Sequence, residues 1–135
     1  MAKSYEKQND ELVKRIVLSK GYCEWCGRTD KQLHHHHIIT RNSKAYRHDL
    51  DNIICLCAGC HTTSPVSAHK DRTAFVEWIK TSDRAEWFNA HHIEVEEKIA
   101  GRTVTKWKPI KQATIPDEEE NIALKGIWDG IKQDI

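Results

Sequence analysis

Two pairs of cysteines bracket a run of histidines in this chain, and both residue types bind metal ions. The pairs are Cys23/Cys26 and Cys57/Cys60, with 30 residues between Cys26 and Cys57. Thiolate sulfur is the ligand that structural zinc prefers, and two CxxC pairs supply the four ligands of a tetrahedral site. The spacing therefore predicts one structural zinc ion. Cys55, the fifth cysteine, lies in an apolar run and is expected to be a buried hydrophobic residue.

The histidines form a second set of candidate ligands beside the predicted zinc site. His34–His37 are consecutive, His61 follows Cys60 directly, and Asn52 precedes the second cysteine pair. A second metal ion held there could do chemistry, because a divalent cation with a few protein ligands and open positions acts as a Lewis acid and a template for hydrolysis. A histidine that is neutral near pH 7 can take the proton from water.

The elements that must position these residues can be predicted from apolar periodicity. A helix is expected over 4–19, a strand over 33–40, a polar hairpin loop over 41–51, a strand over 53–56 and a short helix opening over 58–61. Strand, loop, strand and helix make a ββα unit with a cysteine pair on each side.

The second half of the sequence is expected to be mainly helical. Helices are predicted over 71–80 and over 83–100, and Gly101 is expected to end the second. An extended segment is predicted over 103–110. A last helix is predicted to begin at Asp117, with an apolar stripe that runs to Ile135. Trp107 is expected to pack inward. We predict one α+β domain over 1–135, with a motif core at about 20–69 and a helical C-terminal extension at about 70–135.

Composition indicates an ordinary globular protein with a basic first half. No apolar run approaches the length of a membrane span, and the first residues have no apolar signal-peptide core, so we expect a cytoplasmic protein with no membrane contact. Residues 1–70 hold 11 Lys/Arg against 7 Asp/Glu (+4), whereas residues 71–135 hold 10 against 13 (−3). The half that contains the cysteines therefore suits a polyanionic partner.

Residues 20 to about 62 resemble the HNH endonuclease family, the ββα-metal nucleases. The resemblance is carried by Cys23-Glu24-Trp25-Cys26, by His36-His37-Ile38, and by the ungapped stretch from Asn52 to Cys57-Ala58-Gly59-Cys60-His61. It implies a zinc-stapled ββα-metal core with additional N- and C-terminal helices. It also implies metal-dependent endonucleolytic cleavage of DNA, by nicking one strand at a time.

The resemblance implies a role for each matched residue. His36 and His61 would bind a catalytic divalent cation, which could be Mg²⁺, Mn²⁺, Ni²⁺ or Zn²⁺. His37 would be the general base. Asn52 would be structural, with its side chain holding the hairpin loop so that His37 points correctly. The structural Zn²⁺ would be held by Cys23, Cys26, Cys57 and Cys60.

The histidine run leaves alternatives open. Strand alternation places His35 and His37 on one face and His34 and His36 on the other. His35 is the spare candidate, as a phosphate contact or a supporting group, whereas His34 is expected to be a solvated edge residue. His69 could be a ligand or a phosphate contact, although an exposed histidine is the simpler reading. Some family members carry a third ligand four residues after the last histidine, a position that Pro65 occupies here.

Other residues have weaker indications. Arg41, Lys44 and Arg47 in the loop could contact phosphates or could simply be polar loop residues. His48 is expected to be solvated, and the pair 91–92 to lie in a helix outside the site.

The alternative function is an inactive zinc-ribbon module that binds nucleic acid. A nucleobase deaminase is excluded because no CxxC pair follows a proline. The sequence does not determine the specificity for a target sequence or structure, or the choice between DNA and RNA. It also does not determine whether the protein binds a protein partner or forms a homodimer. Nor does it choose among homing, restriction and virus genome processing.

Overall fold

The computed structural model describes residues 3–133, which contain helices and two small antiparallel sheets. The main elements are α1 (Tyr5–Leu18), β1 (Leu33–His37), β2 (Ile53–Cys57), α2 (Arg72–Ile79), α3 (Ala85–His91), β3 (His92–Ile99), β4 (Arg102–Pro109) and α4 (Asp117–Gln133). The predicted α+β class is confirmed. Ile135, which the predicted stripe of the last helix includes, lies outside the described residues.

The first sheet is the hairpin of β1 and β2, which carries the histidine run. Its register pairs His34 with Leu56 and His36 with Ile54. Every residue of β2 is buried, as its sequence IICLC predicts. The loop that joins the strands contains two short 3₁₀ turns, Lys44–Tyr46 and Leu50–Asn52. The predicted hairpin therefore forms and presents alternate histidines to opposite faces.

Two apolar clusters hold elements against this hairpin. One packs Ile38 and Leu56 against Phe75 of α2 and Phe88 of α3. The other joins α1, β2 and α4, with members that include Val13, Ile53 and Leu124. A buried hydrogen bond of 2.9 Å from Asn121 Nδ2 to Asn9 Oδ1 also links α4 to α1. The terminal helices thus pack on the face of the hairpin that carries His35 and His37.

The helix predicted over 83–100 is wrong beyond His91. Residues 92–99 form β3, which pairs antiparallel with β4. The turn between them is Ala100-Gly101, with φ of 51° and 78°, as a two-residue hairpin turn requires. The predicted helical C-terminal extension therefore contains a β-hairpin. Trp107 of β4 packs against the first apolar cluster, as expected.

Two histidines outside the run also differ from expectation. His48 is only 5% exposed, and its Nε2 lies 2.7 Å from an Asp10 carboxylate oxygen. His92 is 7% exposed and begins β3 instead of lying in a helix. His48 is therefore part of the packing between α1 and the hairpin loop.

Among the described helices, none is long and apolar enough to cross a lipid bilayer.

Candidate active site and zinc site

The four paired cysteines converge on one point at the open end of the β1–β2 hairpin. Their sulfurs all lie within 4.8 Å of one another, and Cys26 Sγ is 3.8 Å from Cys57 Sγ. Zinc–sulfur bonds of about 2.3 Å in a tetrahedron place the sulfurs about 3.8 Å apart. The cluster therefore fits the zinc ion that the sequence predicts.

Local backbone geometry shapes each cysteine pair. Gly27 adopts φ of 78°, and its N–H donates to the Cys23 carbonyl at 2.8 Å, which closes the first turn. In the second pair the Cys60 N–H donates to Cys57 Sγ at 3.4 Å. Burial alone would raise the pKa of Cys57, but this N–H and the neighbouring thiols lower it. Burial raises the pKa of Cys26 and of Cys60 instead, so this contact favours the thiolate, the form that binds zinc, at Cys57.

Three histidines converge at the other end of the site. Ligand nitrogens of His36, His61 and His69 lie within 4.8 Å of one another. His36 is 8% exposed, and its Nε2 has no hydrogen-bond partner in the described part of the chain. Leaving a buried polar atom unpaired costs about 1–3 kcal/mol, so a bound cation would satisfy this nitrogen. The donor set and the unpaired atom both fit a divalent cation.

His69 reaches the cluster through an irregular turn. Residues Gly59–Thr63 form one π-helical turn, after which the chain bends back. The His69 N–H donates to the His61 carbonyl at 3.2 Å, and the two Nε2 atoms lie 3.0 Å apart. The structure therefore brings His69 to the ligand pair that the resemblance implies, and the residue is also exposed, as the simpler expectation from sequence has it.

The electrostatics of the cluster favour neutral rings. Burial, and to a smaller extent the positive charge that neighbouring protonated histidines would carry, lowers the pKa of His36 to about 3 and that of His61 to about 4. Near pH 7 these rings keep a nitrogen lone pair free. Neutral imidazole is the form that coordinates metal ions.

His37 lies on the opposite face of β1, with its ring 5.8 Å from that of His35. Its Nε2 is 2.9 Å from the Arg47 carbonyl oxygen. A carbonyl only accepts hydrogen bonds, so His37 Nε2 carries the proton and Nδ1 carries the lone pair. Burial lowers the pKa of His37, and the bond to the carbonyl partly offsets this. The ring is thus neutral near pH 7 and can accept a proton at Nδ1.

Asn52 is fully buried and ties the hairpin loop together. Its Nδ2 donates to the carbonyls of Ile39 at 2.9 Å and Tyr46 at 3.0 Å, and its Oδ1 accepts from the Ile39 N–H at 2.6 Å. Tyr46 immediately precedes Arg47, whose carbonyl holds His37. Asn52 therefore lies where a residue that shapes the loop around His37 must lie.

A cleft of about 420 Å³ opens over the histidines and carries two guanidinium groups. Arg41 and Arg72 both line it, together with His35 and His37. Arg72 is the first residue of α2 and is exposed. Neither guanidinium has a carboxylate within ion-pair distance among residues 3–133. Sequence reasoning did not single out Arg72, although its position three residues after His69 was a usable signal.

The other two loop cations are engaged elsewhere. Lys44 pairs with Glu6 and with Asp117, the latter at 2.9 Å, and Arg47 pairs with Asp10 at 2.6 Å. These carboxylates belong to α1 and α4, so the two cations hold the loop to the terminal helices. Of the three loop cations considered as phosphate contacts, Arg41 is the one that lines the cleft.

His34 is not the solvated edge residue that the sequence suggests. It is partly buried, and its Nδ1 lies 2.9 Å from His61 Nδ1, with the two rings edge to face. It shares the face of β1 that carries His36.

Comparison with protein families identifies one segment of the chain. Residues 23–64 match the family model described as HNH endonuclease. The match includes both cysteine pairs, the histidine run, Asn52 and His61. Neither a curated protein nor a solved structure matches the chain.

Proposed function

We propose that this protein is a metal-dependent endonuclease that hydrolyses phosphodiester bonds in DNA, because residues 23–64 match the HNH endonuclease family model. One observation carries the proposal. His36, His61 and His69 converge within 4.8 Å, while His37 on the same strand is held with Nδ1 free to accept a proton.

The proposed cation site uses three imidazoles, one more than the sequence implies. His36 and His61 are the expected ligands, and His69 is added from its position in the cluster. A divalent cation held there would act as a Lewis acid on the phosphate and the leaving oxygen. Zinc is proposed separately for the four cysteines, where it would hold the hairpin that carries His36 and His37.

His37 is the proposed general base. Its Nδ1 takes the proton of the water that attacks phosphorus, and the new P–O bond forms. The bond to the leaving oxygen breaks, and that oxygen keeps the electron pair and takes a proton from solvent water. The Nε2–H keeps its hydrogen bond to the Arg47 carbonyl oxygen, and this bond stabilises the imidazolium that results. Asn52 is a positioning residue in this scheme because it acts on the loop and not on the substrate.

Arg41 and Arg72 are the proposed contacts for the DNA backbone. Both line the cleft. Guanidinium groups bind phosphate with two parallel hydrogen bonds, and a cation without a protein carboxylate is available to do so.

A single centre per chain nicks one strand, so cutting both strands would require two copies or two successive events. We place this activity in the cytoplasm and in a single domain over 1–135.

A plasmid-nicking assay tests the proposal. Zinc-loaded protein is incubated with supercoiled plasmid and Mg²⁺, Mn²⁺ or Ni²⁺. A control reaction contains EDTA, and the zinc content of the protein in that control is measured to show that the fold survived chelation. We expect nicked circles with a divalent cation and none with EDTA. His37→Ala should slow cleavage by about 10²–10⁴-fold while DNA binding is retained, and His91→Ala, outside the cleft, is the matched control.

Two results would contradict the proposal. Cleavage by His37→Ala at the wild-type rate would exclude His37 as the base. DNA binding without nicking under every metal would favour the alternative of an inactive zinc-ribbon module that only binds nucleic acid.

A further inference from the structure

His61 is the centre of a row of three imidazoles. Its Nε2 lies 3.0 Å from His69 Nε2, on the side of the ligand cluster, and its Nδ1 lies 2.9 Å from His34 Nδ1 on the other edge of the ring. His34 is two residues before His36 on β1 and faces the same side of the sheet. Each ring nitrogen of His61 therefore has a different histidine as its neighbour.

We propose that His34 is a positioning residue that fixes the tautomer and the orientation of His61. The inference rests on the proposed function, because it concerns the cation site of the nuclease. A cation at the cluster requires the lone pair of His61 Nε2. The single proton of the neutral ring must then lie on Nδ1, and the neighbour placed to accept it is His34 Nδ1. His34 accepts when its own proton lies on Nε2.

This contact supplies what a metal-binding histidine ordinarily obtains from a carboxylate or a backbone carbonyl. The second nitrogen of such a ring almost always donates a hydrogen bond, which sets the tautomer, and removing the acceptor typically weakens metal binding by about 10–100-fold. The two nitrogens of His61 face opposite neighbours, so His34 approaches the edge turned away from the cluster. It is thus placed to orient a ligand and not to act as one.

The test compares two side chains of similar size at position 34. His34→Leu removes the acceptor, whereas His34→Gln keeps one in its amide oxygen. Calorimetric titration with Ni²⁺, which imidazole ligands suit, is carried out on zinc-loaded protein whose zinc content is verified for each variant. His91→Ala removes an imidazole outside the cluster, and His61→Ala removes the ligand itself. If the Leu variant does not retain zinc, His34→Ala replaces it.

We expect His34→Leu to weaken Ni²⁺ binding by about 10–100-fold and His34→Gln to remain close to wild type. Nitrogen-edited NMR of the protein loaded with diamagnetic Zn²⁺ should show a slowly exchanging His61 Nδ1–H in wild type and in the Gln variant. That signal should be lost in the Leu variant. If His34 only packed against His61, the His34→Leu substitution would leave this Nδ1–H signal unchanged.

Different failures have different meanings. If His34→Leu binds Ni²⁺ like wild type while His61→Ala does not bind it, the role of His34 is overturned and the cation site stands. Equal weakening in the Leu and Gln variants would also overturn it, because the acceptor would then not matter. Wild-type binding by His61→Ala would instead overturn the proposed cation site itself.

Discussion

His37 and Asn52 hold adjacent carbonyl groups of the same loop. Asn52 Nδ2 donates to the Tyr46 carbonyl at 3.0 Å, and the next carbonyl along the chain, that of Arg47, accepts from His37 Nε2 at 2.9 Å. The side chain that closes the loop thus lies one peptide unit away from the carbonyl that accepts from His37. The shape of the loop and the tautomer of His37 are linked through this peptide.

Asn52→Ala should therefore impair catalysis more than DNA binding. It removes three hydrogen bonds at a fully buried position and should destabilise the fold by about 1–3 kcal/mol. We expect the single-turnover cleavage rate to fall while the zinc content is unchanged. Asn42→Ala, at an exposed asparagine of the same loop, is the control. Wild-type cleavage by Asn52→Ala would show that His37 does not depend on this clamp.

Arg72→Ala should weaken binding of DNA through loss of a phosphate contact. Each phosphate that a protein neutralises contributes about 0.9 to the slope of log K against log salt concentration. We expect the slope to decrease by about that amount, as measured by fluorescence anisotropy over a salt series. Arg102→Ala, at the turn end of the β3–β4 hairpin, should keep the wild-type slope. Equal slopes for wild type and Arg72→Ala would remove Arg72 from the interface.

The motif spacing made the core of the site predictable. Two CxxC pairs that share one zinc ion must meet in space, so Cys23–Cys26 and Cys57–Cys60 predict the metal ligands. The hairpin between them is predicted by the apolar runs on either side of a polar loop. His69 was harder to place. Pro65 prevents a regular helix from continuing past His61, and the π-helical turn and bend that return the chain to the cluster have no periodic pattern in the sequence.

The second half shows where local signals mislead. Residues 92–99 contain glutamates and lysine that are common in helices, and Gly101 resembles a helix stop. The same residues also alternate, with Ile93, Val95 and Ile99 on one face. Pairing with β4 decided between the two readings, and such a long-range contact cannot be read from a local window. His34 was misplaced for a similar reason, since its contact with His61 spans 27 residues.

Cys57→Ala should lose zinc and stability together because metal binding and folding are coupled. Cys55→Ala is the matched control, since Cys55 is a buried cysteine of the same strand that lies outside the sulfur cluster. We expect one zinc ion per chain in wild type and in Cys55→Ala, and a large loss in Cys57→Ala by elemental analysis, with a lower Tm. Full zinc content in Cys57→Ala would contradict the four-sulfur site.

Asp10 should stabilise the junction of α1 with the loop across the neutral pH range. Burial alone would raise its pKa, but hydrogen bonds from Arg47 and His48 lower it to about 2. Because the pKa is lower when folded than its ordinary value of 3.8, the stabilisation is fully present above about pH 4 and is lost as pH falls towards 2. Asp10→Asn should lower the free energy of unfolding by about 1 kcal/mol, a value reduced for partial exposure.

Urea unfolding at several pH values tests this prediction. The difference between wild type and Asp10→Asn should be present at pH 5 and should close as pH falls from about 4 towards 2. Asp30→Asn is the control, because Asp30 also has a pKa of about 2 but pairs with Arg28 at the exposed surface. A difference that does not close as pH falls below about 4 would show that Asp10 is not held ionised in this way.

Anomalous diffraction from crystals of the zinc protein soaked with Ni²⁺ tests the cation site most directly. We predict a nickel peak within bonding distance of ring nitrogens of His36, His61 and His69, and a separate zinc peak among the four cysteine sulfurs. Nickel bound elsewhere, with these three rings left uncoordinated, would contradict the assignment of this cluster as the catalytic centre.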